Sequence, residues 1–178
     1  MKNLVKSIAI AAVIFFSVGA ANAQQKIGHI NSSAILQAMP EVKTADASFE
    51  TFRKSKLAEL EAMDKERQSK IAAFQEKYKT LTETNQEVLG KELEGMNQEI
   101  QTIEQRITEL DQKAQQDLGA KREELYKPIL AKAEVAIKAV SKEKGFAYVF
   151  DTANQGVVYF DGGEDLTELV KTKLGIVK

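Results

Sequence analysis

Between Leu89 and Ala114 the residues Leu89, Leu93, Met96, Ile100, Ile103, Ile107, Leu110 and Ala114 recur at alternating spacings of four and three. That is the a/d seam of a coiled coil. Upstream, Leu57, Leu60, Ile71, Phe74, Tyr78 and Leu81 form a second stripe, but the heptad positions between Leu60 and Ile71 fall on Asp64 and Arg67. This first arm is therefore expected to be weakest at that interruption. From Phe49 to about Leu125 there is no proline, and the only glycines are Gly90, Gly95 and Gly119. Glu, Gln, Lys, Leu and Ala dominate the segment, and all are good helix formers. One helix of that length would be about 115 Å long, so the pattern predicts an antiparallel hairpin in which each arm covers the other's apolar stripe. Residues 82–87 carry no seam residue and are expected to form the tip, with Thr84 as N-cap and Glu87 completing a capping box. Each arm then has about 33 residues and spans on the order of 50 Å. Charged residues such as Glu59, Lys65, Glu92 and Glu99 belong to solvated faces.

The period changes at both ends. Lys26 to Ile30 reads as a short strand, followed by a short helix with Ile35, Leu36 and Met39; Pro40 suits the first turn of the helix after it. Strand character returns only in Phe146 to Phe150 and Val157 to Phe160, and the intervening residues 151–156 look like a hairpin loop. A final amphipathic helix carries Leu166, Leu169, Val170 and Leu174, with Asp165 as cap and Gly175 as stop.

The expected fold class is α+β and mostly α: a long coiled-coil hairpin, residues 43–127, inserted into a small β-containing base made of 24–42 and 128–178. Ile27, Ile30, Ile35, Leu36, Tyr148, Phe150, Val157 and Tyr159 are the candidate residues of that base and of its self-association. About three short strands and two short helices make a core too small to be comfortable alone, since small cores rarely contribute more than about 3 to 5 kcal/mol net. Oligomerisation through the base is therefore predicted, with strands of several copies sharing a sheet or barrel so that no edge stays open.

The first residues add a destination. Lys2 and Lys6 precede an apolar run from Ile8 to Val18, and Ala21-Asn22-Ala23 has the A-x-A form of a secretory cleavage site. The run is far shorter than the roughly 20 residues of a membrane-spanning helix, so an uncleaved anchor is the weaker reading. Cleavage between Ala23 and Gln24 removes 23 of the 178 residues and leaves 155, about one domain. The sequence contains no cysteine, which excludes a lipid-modified N-terminal cysteine and disulfides despite an oxidising destination. Without Lys2 and Lys6 there are 23 basic and 26 acidic residues, a net charge of −3. Such a balance argues against nucleic acid as a partner.

Little catalytic chemistry is on offer. His29 is the only histidine, so a histidine-based metal cluster is impossible, and an ordinary half-buried strand residue is the favoured reading over catalysis. The stretch 161–165, Asp-Gly-Gly-Glu-Asp, lacks the alternating oxygen ligands of an EF-hand and is read as a turn plus helix cap. Phe49, Phe52 and Phe74 stand at helical spacing and are assigned to packing in preference to client contact. Ala58, Ala62, Ala72 and Ala73 sit partly off the strict seam and are candidates for a mildly apolar, client-facing wall.

Taken together, Ile27-Gly28-His29-Ile30-Asn31 followed by Ile35-Leu36, the long coiled arm, the run from Phe146 to Asp151 and the terminal Leu166-Thr167-Glu168-Leu169-Val170 resemble the Skp/OmpH family of periplasmic chaperones. Lys127-Pro128-Ile129 and Lys138-Ala139-Val140 are similar to that family's passage from arm to body, where Pro128 should kink the helix. The resemblance implies a homotrimer whose barrel body and three helical arms enclose unfolded outer-membrane proteins. No cofactor, metal or enzymatic activity is expected, since the sequence supplies no convergent polar groups for a catalytic pocket. One departure stands out: the best-known members are strongly basic, whereas residues 43–127 here hold 18 acidic and 15 basic side chains. No lipid-binding site is carried over, and salt is expected to weaken capture only modestly.

The expected function is thus an ATP-independent holdase of the periplasm that prevents aggregation of unfolded outer-membrane proteins, without inserting stably in the membrane. With no Walker A sequence in the chain, release has to come from the client's own folding. The alternative is a structural coiled-coil spacer or docking protein of the cell envelope.

Overall fold

The computed structural model describes residues 25–176 apart from 155 and 158. The proposed leader and its cleavage site therefore lie outside the described residues. The elements are β1 (Ile27–Ile30), α1 (Ser32–Ala38), α2 (Pro40–Tyr78), α3 (Gln86–Glu143), β2 (Tyr148–Asp151), β3 (Glu164–Asp165) and α4 (Thr167–Lys173). They fall into two compact units. Of the described residues, one collects those up to Met39 and those from Ala131 onward; the other is Pro40–Leu130.

In the helical unit α2 and α3 run antiparallel. Lys77 pairs with Glu92, Lys70 with Glu99, Arg67 with Glu104 and Lys56 with Asp117, so numbers rise on one helix as they fall on the other. The apolar seam is carried unequally. On α3, Leu89, Leu93, Ile100, Ile103 and Ala114 are buried and Met96, Ile107 and Leu110 half-buried. On α2, Leu60, Ile71 and Phe74 are half-buried, as are Phe49 and Phe52, while Leu57 and Tyr78 are 44% and 58% exposed; Leu81, in the turn that follows, is half-buried. Asp64 and Arg67 do not leave a gap: the Arg67 guanidinium lies 2.7 Å from Asp64 and 3.8 Å from Glu104.

The turn between the helices is 79–85. The capping box expected on Thr84 and Glu87 does not form, because α3 starts at Gln86 and the cap position falls on Asn85. Asn85 donates its side-chain amide to the Thr80 carbonyl at 2.9 Å and accepts from the Thr82 N–H at 2.7 Å. The carboxamide donates and accepts through two separate atoms, while Thr84 shares a 3.0 Å hydroxyl contact with Thr82. Helix α3 then continues unbroken through Pro128.

The other unit is built on a three-stranded sheet, order β2-β1-β3, with both pairings parallel. Ile27 stands opposite Tyr148 and Ile30 opposite Asp151; on the other side Gly28 and His29 meet Glu164 and Asp165. This corrects the hairpin expected between 146–150 and 157–160. Val157, Tyr159 and Phe160 form no strand, and the third strand is Glu164–Asp165, within the stretch read as a turn. The reason lies after β2. Asp151 accepts from the Ala153 N–H at 3.0 Å and from the Asn154 amide at 2.7 Å, and Thr152 bonds the Ile30 carbonyl at 2.8 Å, so the chain turns away from the sheet instead of doubling back along it.

Ile30, Ile35, Ala136, Val140, Leu166 and Val170 form the core of this unit, with Ile137, Phe146, Val149, Leu169 and Leu174 packed against it. The last two helices, α3 and α4, end in it by one device. Gly145, at φ 71°, follows α3, and Phe146 N–H bonds the Ser141 carbonyl at 3.0 Å. Gly175, at φ 76°, follows α4, and Ile176 N–H bonds Lys171 at 2.9 Å. Both are Schellman motifs, which need a left-handed residue that glycine adopts without strain.

Candidate functional site

Two surfaces, one on each unit, remain after the cores are assigned. On α2, Thr44, Ser48, Thr51, Ser55, Ala58 and Ala62 recur at spacings of four and three and are all exposed. They form a second heptad stripe, on a different face from the seam residues. Further along, Ala72 and Ala73 are also exposed. Thr44 donates its hydroxyl to the Pro40 carbonyl at 3.4 Å and Thr51 to Ala47 at 2.9 Å. Those hydroxyls are spent on their own helix, so the stripe offers methyl groups and small surfaces. A shallow groove of about 540 Å³ runs over its first part, bordered by Phe52 and Lys121. Nothing in the stripe grips one ligand shape; it can make many weak contacts with an extended chain.

On the base, the side chains of the sheet alternate between core and outside, as a pleat requires. Gly28 and Ile30 of β1 point to the core, with Val149 of β2, while Ile27 and His29 share the opposite face with Tyr148 and Phe150. The candidate base residues therefore divide. Ile30 and Ile35 are buried and Leu36 and Val157 half-buried, but Ile27, Tyr148, Phe150 and Tyr159 are 49%, 53%, 49% and 80% exposed. Phe160, which was not singled out, is 53% exposed and stands 4.9 Å from the His29 ring, centroid to centroid. The Tyr148 and Phe150 rings stack at 6.5 Å. A concavity of about 1060 Å³ opens among Ile27, His29, Phe150, Tyr159 and Phe160. Lys26 holds its rim: it is 3.0 Å from Glu164 and lies 4.0 Å above the Phe146 ring.

A polar joint ties the residues just after β1 to β2 and to α4. Asn31 N–H donates to the buried Thr167 hydroxyl at 2.9 Å, and Ser32 N–H donates to Asp151 at 3.0 Å. Burial works to raise the Asp151 pKa, but hydrogen bonds from Ser32 and Ala153 outweigh it and hold the carboxyl below its ordinary value. Asp165 is likewise lowered, chiefly by its hydrogen bond with Thr167. It accepts the Thr167 N–H at 2.9 Å, although the residue in the N-cap position of α4 is Leu166. Asn31, Asp151 and Thr167 entered the sequence reading only within the motifs of the resemblance, without a role, and only Asn31, placed before an apolar helix, carried a recognisable cap signal.

Among the described residues no group of three or more His, Asp and Glu side chains is placed to hold a metal ion. Nor, among them, is any helix long and apolar enough to cross a membrane.

Comparison with known proteins gives a consistent result. The family model described as "Outer membrane protein (OmpH-like)" matches residues 26–174. A protein named "Chaperone protein Skp" from Vibrio cholerae serotype O1 is 30% identical over 159 residues, covering 86% of this chain and 89% of its own. A protein of the same name from Photorhabdus laumondii is 28% identical over 170 residues, 96% of this chain and 97% of its own. Among solved structures, an outer membrane chaperone (OmpH-like) from Caulobacter crescentus superposes with a TM-score of 0.67 at 17% identity, covering 86% of each chain. That last likeness concerns the fold.

Proposed function

The chain belongs to the OmpH-like outer membrane protein family, and from that premise we propose that it is a chaperone for outer-membrane proteins, acting as an ATP-independent holdase in the periplasm. The observation that carries the reading is the exposed, small-residue stripe of α2. Its small side chains at Ala58 and Ala62, set among exposed charges, suit weak, distributed contact with an unfolded chain better than they suit one folded partner. A barrel strand alternates apolar and polar residues and aggregates through its edges, so it needs isolation more than a deep pocket. Ala58, Ala62, Ala72 and Ala73 are the proposed client-facing wall.

Self-association through the base completes the proposal. Ile27, Tyr148, Phe150 and Phe160 make an aromatic-rich face too exposed for a lone copy, and a cluster of six buried core residues is a small core to stand alone. In the order β2-β1-β3 each outer strand pairs on one side only, and the free edges lie on opposite sides of the sheet. Head-to-tail joining of such edges gives a closed ring when the rotation between copies closes, and a homotrimer is the form proposed here. Residues 24–42 and 128–178 act as this body and 43–127 as the client-holding arm, released from the membrane after cleavage at Ala23.

The test dilutes a urea-unfolded outer-membrane barrel protein into the chain that begins at Gln24, with light scattering and mass followed together. Suppressed aggregation and a discrete soluble complex, repeated with an unrelated barrel protein, are expected. A well-folded oligomer that suppresses nothing would put the spacer or docking role in its place. Within the same assay, Ala58→Asp with Ala62→Asp should lower suppression while leaving the helical signal intact.

A further inference from the structure

The chain has seven aspartates, and six of them hold a partner. Asp46 accepts from the Tyr126 hydroxyl and Asp111 from Gln115; Asp64 and Asp117 pair with Arg67 and Lys56; Asp151 and Asp165 accept backbone N–H groups. Asp161 is exposed, lies outside any helix or strand and, among the described residues, has no side-chain partner. It is also the only aspartate followed by glycine, and no asparagine is. We propose that the Asp161–Gly162 bond is a modification site at which isoaspartate forms spontaneously, and that the product loosens β3.

The reaction needs an uncommitted carboxyl, an uncommitted amide nitrogen on the next residue, and no side chain between them. All three conditions meet at this bond. The Gly162 N–H bonds no backbone carbonyl among the described residues, and glycine brings no Cβ to crowd the approach. Gly162 stands at φ 98°, a conformation that glycine adopts without strain. In the four helical aspartates, by contrast, the N–H that follows is spent on the carbonyl one turn earlier. Ring closure joins the Gly162 nitrogen to Cγ of Asp161, and a carboxyl oxygen leaves as water, taking the amide proton and one proton from solvent. Water then adds to the main-chain carbonyl carbon of the succinimide and breaks its bond to nitrogen, and a proton returns to solvent. The main chain now runs through Cγ, the composition is unchanged, and no oxidant or cofactor takes part.

The product has a structural consequence because both flanks are held. Phe160 stands 4.9 Å from the His29 ring, centroid to centroid, and a Cβ on Gly163 would lie 3.3 Å from the Ile27 carbonyl oxygen. Isoaspartate adds one carbon to the main chain between these two contacts. Glu164 and Asp165 follow at once, paired with Gly28 and His29, and the Leu166 N–H bonds the His29 carbonyl at 2.9 Å. A strand of two residues has no length over which to absorb the shift. Its pairing with β1 is therefore the contact that yields.

The experiment incubates the chain beginning at Gln24 at pH 7.5 and 37 °C, both folded and in guanidinium chloride. Isoaspartate is followed by methyl transfer from S-adenosylmethionine, with an isoaspartyl methyltransferase as the probe, and peptide fragmentation locates the modified residue. The expected result is isoaspartate at position 161 in the folded protein, at a rate within a few-fold of that in denaturant. Asp161→Glu, which would have to close a larger ring, should form none there. No isoaspartate at 161, or formation more than a few-fold slower in the folded protein, overturns the site, as does equal methyl transfer to the Asp161→Glu variant. Hydrogen exchange on aged protein should show lost protection at Asp165 and Leu166; unchanged protection in the modified molecules overturns the loosening of β3.

Discussion

Lys56 of α2 places its ammonium 3.1 Å from the Asp117 carboxylate of α3. The hydrogen bond to Asp117 is the main reason its pKa is raised, and the same bond is the main reason that of Asp117 is lowered. Lys56 is the first rung of a ladder continued by Arg67, Lys70 and Lys77, each reaching an acidic residue of α3. Basic side chains on one helix and acidic ones on the other make a slipped register unfavourable. The ladder's role is to fix alignment, since exposed ion pairs add little net stability.

The first prediction concerns that alignment. Lys56→Asp should lower the thermal midpoint slightly, and Lys56→Asp combined with Asp117→Lys should recover most of the loss. Circular dichroism melts at low salt and at 1 M NaCl check it; the difference between single and double variants should shrink in salt.

Acid should loosen the base through its lowered carboxyls. Asp151 and Asp165 have folded pKa values below 3.8, so their contribution is fully present above that pH and lost as pH falls through the lower, folded values. Asp151→Ala removes the acceptor for Ser32 and Ala153 and should cost about 1–2 kcal/mol. Denaturant unfolding at pH 7 and pH 3 measures both effects, and the variant's penalty should be smaller at pH 3.

Glycines of the arm and of the base should respond in opposite directions. A Cβ at Gly90, Gly95 or Gly119 would meet nothing within 4 Å, so alanine at each should stabilise the helix by about 0.5–1 kcal/mol. A Cβ at Gly28 would lie 2.8 Å from Phe146 and 3.0 Å from the Glu164 carbonyl oxygen, so Gly28→Ala should destabilise the sheet. Urea titrations of the four variants separate the two cases.

Leu166 and Val170 are fully buried in the base. Leu166→Ala should cost about 2–5 kcal/mol and depress assembly together with folding. Hydrogen exchange should show lost protection in β1 and α4 while the Ile100 to Ile107 stretch keeps its own.

Helical periodicity by itself determined the two arms, because a seam repeated every three and four residues has one economical solution, a second helix laid against it. Gly175 marked the C-terminal end of α4 for the same local reason. Whether a strand turns back on its neighbour or leaves the sheet was decided only by tertiary structure. The run from Val157 to Phe160 has strand composition, but Asp151 is engaged by Ser32 more than a hundred residues away, and the remaining edge of β1 is taken by Glu164–Asp165, which has no strand propensity at all. Arg67 similarly reads as a break in an apolar stripe until the opposite helix supplies Glu104. Local pattern specifies elements that satisfy their own backbone; pairing between distant segments depends on which partner arrives, and that is settled in three dimensions.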